Sequence, residues 1–166
     1  LLESRGLGDV YKRQENIPSN VAKERIGEAR FLRALFYFNL VTKYGDIPLN
    51  LSTETKQGGT PKSSVTEVYN AIIDDLKYAA ANLPAKGVQE KGRATSGAAW
   101  ALLGKVLLQK GDAAEAKSAL ANVTGYSLVD DYHNNFTIAG EHNEESVFEV
   151  HYDESTGQGD SWNQNG

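Results

Sequence analysis

Residues 28–49 read EARFLRALFYFNLVTKYGDIPL, and apolar side chains fall on nearly every side of the helix they predict. Alanine, leucine and arginine favour the helix, neither Gly nor Pro interrupts residues 28–44, and Gly45 with Pro48 behind it supplies the stop. Ala29, Leu32, Phe36 and Leu40 make one stripe at helical spacing, while Phe31, Leu35, Phe38 and Thr42 make a second, a quarter turn or more away. A helix with two apolar stripes needs two sets of neighbours, so this one is expected to be interior.

Upstream, Ser19 or Asn20 stands where a cap is needed for a helix over residues 21–44, in which Gly27 is a weakness of roughly 1 kcal/mol against alanine. Residues 1–14, LLESRGLGDVYKRQ, follow neither helical nor strand period and resemble the translated remnant of a sequencing adapter. They are set aside as a non-native leader. Downstream, residues 50–64 are rich in Ser, Thr, Gly and Lys and broken by Gly58, Gly59 and Pro61, which predicts a long loop.

Ser64 or Thr66 then opens a second helix with Val68, Ile72, Leu76 and Ala79 on its inner face and Pro84 behind it. Thr95 or Ser96 caps a third over residues 97–110, with Trp100, Leu103, Leu107 and Leu108 inward. Gly111 and Asp112 turn the chain into a fourth over residues 113–122, whose small residues suit close helix approach. Beyond Tyr126 the period changes: ESVFEVHY, residues 145–152, alternates as a strand does.

The 166 residues suffice for one core, and 40% hydrophobic with 23% charged residues is ordinary for a globular chain. The sequence starts with Leu and contains no Met, so it is expected to be a fragment of a longer reading frame. No charged-then-apolar leader precedes the first helix, and the longest apolar run, residues 34–38, is far too short to cross a bilayer. The absence of cysteine excludes disulfides, thiolate metal sites and a cysteine nucleophile. Net charge is −5, and residues 126–166 hold nine acids and no Lys or Arg, which repels phosphate and argues against a nucleic-acid partner.

An internal repeat organises the helices. Trp100, Leu103, Gly104, Leu107, Gly111, Ala116, Leu120 and Val123 follow the tetratricopeptide pattern, with Leu replacing Tyr and Phe. Ala34, Tyr37, Phe38 and Val41 stand in the same relation to Gly45 and Asp46, so residues 47–65 are an insertion between the two helices of one repeat. The expected fold is mostly α: tetratricopeptide-like hairpins over residues 15–125, then the start of a mixed loop and strand region over 126–166, with a short β element. Each hairpin leaves an apolar face bare until another stacks on it, so two repeats are marginal and something more is expected to cover them.

Chemistry is sparse. His133, His142 and His151 lie among Asp130, Asp131, Glu141, Glu144 and Glu145, but none is spaced as a helical ligand pair, so no metal is expected. No nucleophile elbow, P-loop or dinucleotide fingerprint appears, and no cofactor is expected. Arg30 and Arg33 are either ligand clamps or, as preferred here, partners of acids such as Asp112 on the adjoining hairpin. Aromatic planes beside amides are what sugar binding uses, so Trp162, Asn163 and Tyr152 are the ligand-binding candidates.

Four segments in order resemble the SusD/RagB family: residues 28–49; residues 67–84, from Glu-Val-Tyr to Leu-Pro; Gly92-Arg93-Ala94-Thr95 leading into residues 98–111; and Glu144-Glu145-Ser146-Val147-Phe148-Glu149-Val150. The resemblance implies a helical scaffold of tetratricopeptide pairs, surface-exposed and lipid-anchored at the outer membrane. There it would capture oligosaccharides without catalysis and deliver them to a SusC-like TonB-dependent transporter. The lipid-bearing cysteine is not in this sequence. The competing expectation is a tetratricopeptide module that binds peptides, which the long insertion argues against. A glycoside hydrolase is a third, since paired acids among 22 carboxylates are open to any sequence of this composition.

Overall fold

A computed structural model of the chain describes residues 17–52 and 59–150. Four helices carry the architecture: α1 (Ser19–Tyr44), α2 (Val65–Asn82), α3 (Ser96–Lys110) and α4 (Ala113–Leu120). Each packs chiefly on the next in sequence, so the chain stacks as two successive hairpins. Between α1 and α2 runs the insertion, pinched at its base by a two-stranded antiparallel ribbon of β1 (Ile47–Pro48) and β2 (Lys62–Ser63), with Ile47 opposite Ser63. The fold is thus mostly helical with one small sheet.

Local chemistry accounts for the boundaries. Ser64 accepts the Glu67 N–H through its hydroxyl while the Glu67 carboxylate accepts the Ser64 N–H, a complete capping box at the start of α2. Thr95 caps α3 by accepting the Ala98 N–H at 3.1 Å. Gly111 ends α3 in the left-handed region at φ 100°, which glycine adopts without a Cβ penalty, and Asp112 starts the next turn. The expected cap on α1 is corrected: Pro18 occupies that position with no side-chain hydrogen bond, and Ser19 and Asn20 lie inside the helix.

One core runs through the stack. Phe31, Ala34, Phe38 and Val41 of α1 meet Val68, Ile72, Leu76 and Ala79 of α2, and α3 adds Ala98, Leu103, Val106 and Leu107. Gly27 has a packing reason: a Cβ there would lie 3.1 Å from Leu83 Cδ2, so its lack of side chain seats Leu83. Gly104 does the same for Leu120, drawing α4 against α3. Both glycines trade helix propensity for close approach.

Three expectations are corrected. α1 buries one face only: Leu32, Phe36 and Leu40 are exposed, Phe36 at 62%, because α2 covers the opposite side. Leu108 also faces outward, about 100° around the helix from the buried Leu107. Residues 145–150 form no strand, since their alternation is used differently. Val147 and Phe148 both pack on the core, Phe148 edge-on to Phe31 with ring centroids 4.9 Å apart, while Glu149 turns to His142 and Val150 is exposed. Residues 151 and 152 lie outside the described residues.

Candidate functional site

Two polar constructions and one apolar groove stand out from the helical stack. The first anchors the insertion. Arg33 forks onto Asp75 with Nε to Oδ2 at 2.6 Å and Nη2 to Oδ1 at 2.7 Å, and Arg30 approaches the same carboxylate at 3.7 Å while lying 4.2 Å over the Tyr78 ring. Asp75 is buried on α2 and takes both arginines. The ion-pair reading of these arginines therefore holds with a different partner: Asp112 accepts from Lys110 at 2.6 Å instead. Arg33 also donates to Leu51 O, and the Tyr37 hydroxyl accepts the Asn50 N–H at 2.8 Å, so one edge of α1 holds the root of the loop. Thr60 donates to Asn50 Oδ1 across it.

The second construction joins the α2–α3 connector to residues 126–150. Lys86 Nζ donates to the carbonyls of Asn143, Glu144 and Ser146 at 2.6, 3.2 and 2.7 Å, and sits 4.6 Å over the Tyr126 ring. Burial pushes the Lys86 ammonium below its ordinary value, against the raising charges of Glu144 and Glu149. The Tyr126 hydroxyl is 2.9 Å from Thr95 Oγ1 and lies over Gly97, where a Cβ would come within 2.5 Å of it. Glu28 on α1 accepts from Arg93 through both oxygens, at 2.7 and 2.5 Å, and from Arg25, so the connector is tied to the first helix as well.

Between these ties lies a cleft of about 140 Å³ lined by Lys86, Gln89, Arg93, His142, Phe148 and Glu149. Gln89 donates through Nε2 to Ala94 O, and its buried Oε1 has no hydrogen-bond partner. His142 adopts a positive φ of 57°, and its N–H donates to both Glu149 oxygens at 3.1 Å. Burial pushes the Glu149 carboxyl up, but hydrogen bonds from Ser146 and His142 with the charges of His142 and Lys86 outweigh it and hold it below the ordinary carboxylate value. Among the described residues no group of three or more His, Asp and Glu side chains is placed to hold a metal ion, and His151 lies outside them.

The third feature is a shallow groove of about 390 Å³ where α2, α3 and α4 meet, floored by Leu103 and Leu107 and lined by the half-buried Trp100. Trp162, Asn163 and Tyr152 lie outside the described residues. Sequence reading missed Lys86 and Gln89, since a single lysine or amide in a polar connector has no local signature.

Residues 7–108 match a SusD-like family described as "Starch-binding associating with outer membrane". A SusD-like protein of Bacteroides ovatus is 30% identical over 163 residues, covering 88% of this chain and 30% of that protein. Among solved structures, a SusD-like protein from Bacteroides fragilis NCTC 9343 superposes with a TM-score of 0.76 at 34% identity, over 90% of this chain and 31% of the other. A laminarin-binding SusD-like protein superposes with a TM-score of 0.78 at 29% identity, over 86% of this chain and 34% of its own. The chain thus spans about a third of the length of the relatives it matches.

Proposed function

Since the chain belongs to the SusD-like family, we propose that the protein it represents binds oligosaccharides at the outer membrane and passes them to a SusC-like TonB-dependent transporter. The observation that carries this reading is the shared helical stack, superposable on a laminarin-binding relative over most of the chain. Capture without cleavage is the chemistry proposed, and a lipid anchor is its proposed means of attachment. Among the described residues no helix is long and apolar enough to cross a membrane.

Trp162 offers a stacking plane, Asn163 an amide that both donates and accepts, and Tyr152 a second aromatic with a hydroxyl, a set suited to a ring with apolar faces and polar edges. Calorimetry of the full-length protein, guided by a glycan array, tests the reading. Saturable binding of at least one oligosaccharide, with no shortened product by chromatography, is expected. Absence of affinity for every glycan on the array removes it, and released product would make the protein a hydrolase. Trp162→Ala is expected to weaken that binding by about tenfold, on the order of one stacking contact.

A further inference from the structure

We propose that the outer face of α1, the stripe Leu32, Phe36, Leu40 and Tyr44, is an internal interface, closed in the full-length protein by an apolar element of the same polypeptide lying outside residues 1–166. The four side chains recur at every fourth residue, so they line up along the helix over about 18 Å. At about 100° per residue they stand opposite Phe31, Ala34, Phe38 and Val41, the face that α2 covers. Leu32 and Leu40 are 41% and 42% exposed, Phe36 62% and Tyr44 70%. A helix with two apolar stripes calls for two sets of neighbours, and among the described residues only one set is present.

Size and charge choose the occupant. The chain spans about a third of the length of the relatives it matches, so a protein of their size has about two thirds of its polypeptide available to lie on this face. The segment after the helical stack is bare in the same way: Leu128, Tyr132, Phe136 and Ile138 are all exposed, and a larger body accounts for both places. An anionic lipid surface is the poorer occupant, because an interfacial helix rims its apolar stripe with free cations. Here three of the five cations of α1 are held by acids, Arg25 by Glu28, and Arg30 and Arg33 by Asp75. A second copy is poorer too. Four side chains fall well short of the roughly 20 to 30 residues a side of a stable dimer, whereas a tethered element of the same polypeptide escapes most of the entropy cost of association.

Hydroxyl-radical footprinting of the isolated full-length wild-type protein, read residue by residue by mass spectrometry, tests the interface. Phe38, 6% exposed on the buried side of the same helix, is the internal standard. Phe36 is expected to be oxidised within threefold of the Phe38 rate, and both are expected to speed up together in urea. Oxidation of Phe36 more than threefold faster than Phe38 overturns the proposal, and so does protection that appears only when a separate partner is added. Sedimentation of the same samples covers the remaining occupant, since protection that is lost on dilution to a monomer assigns the face to a second copy and also overturns it. Phe36→Asp supplies an independent reading: on an open face it would leave the urea midpoint of the full-length protein unchanged, and that result overturns the proposal. A lowered midpoint, or failure of the variant to fold, is the expected result.

Discussion

Asp75 shows what one buried residue decides. Its carboxylate is 5% exposed and holds Arg33 in a fork and Arg30 at longer range, so α1, α2 and the root of the inserted loop meet at one charge. Asp75→Ala would remove the one carboxylate that both guanidiniums share. Breaking a fully buried pair costs about 3–5 kcal/mol, but both arginines are 31% exposed and water softens the loss, so about 2 to 3 kcal/mol is expected. Urea unfolding of the variant measures it, and a loss below about 0.5 kcal/mol would show the pair to be no more than a surface contact. The two arginines were legible in sequence as half of an ion pair, whereas the partner was not. Asp75 lies 42 residues from Arg33, and nothing local separates it from the neighbouring Asp74 or from Asp112.

At the scale of elements, α2 and α3 follow from local chemistry. Apolar stripes, caps and a glycine stop all lie within a few residues of the ends they determine. Ser64→Ala removes the cap of α2 and is expected to cost about 1 kcal/mol by urea unfolding. Its partner Glu67 adds a pH dependence of known sign. The Ser64 N–H and hydroxyl hold the carboxyl below its ordinary value of 4.5, so its folded pKa is depressed. The contribution is then present above the unfolded pKa and lost as pH falls through the folded one. The stability difference between wild type and Glu67→Gln is therefore expected at neutral pH and should shrink as pH falls below 4.5. A difference that is constant with pH would contradict it. The misread element is residues 145–150, where alternation suggested a strand. Alternation records which side chains are apolar, not whether a neighbouring strand is present to pair. Here Phe148 finds Phe31, 117 residues away in sequence, and Val147 packs on the same core.

At the largest scale, Lys86 joins the helical stack to the segment after it. Its ammonium gathers three carbonyls of residues 143–146 and sits against Tyr126, which reaches Thr95 at the head of α3. Lys86→Met keeps most of the stem and removes the charge. It is expected to raise amide hydrogen exchange over residues 126–150 several-fold while the buried faces of α1 to α3 stay protected. Uniform loss of protection would mean that the tie supports the entire stack, and no change would mean that Phe148 alone holds the segment.

The order of the four helices and the stops of α1 to α3 were legible in the sequence itself, because caps, breakers and helical periodicity act over a handful of residues. Which face of α1 is covered, which acid receives Arg33, and where Lys86 and Gln89 come to lie were decided only in three dimensions. Periodicity marks a side chain as apolar without saying whether a neighbour reaches it, so Phe38 is buried and Phe36, two residues away, is left bare.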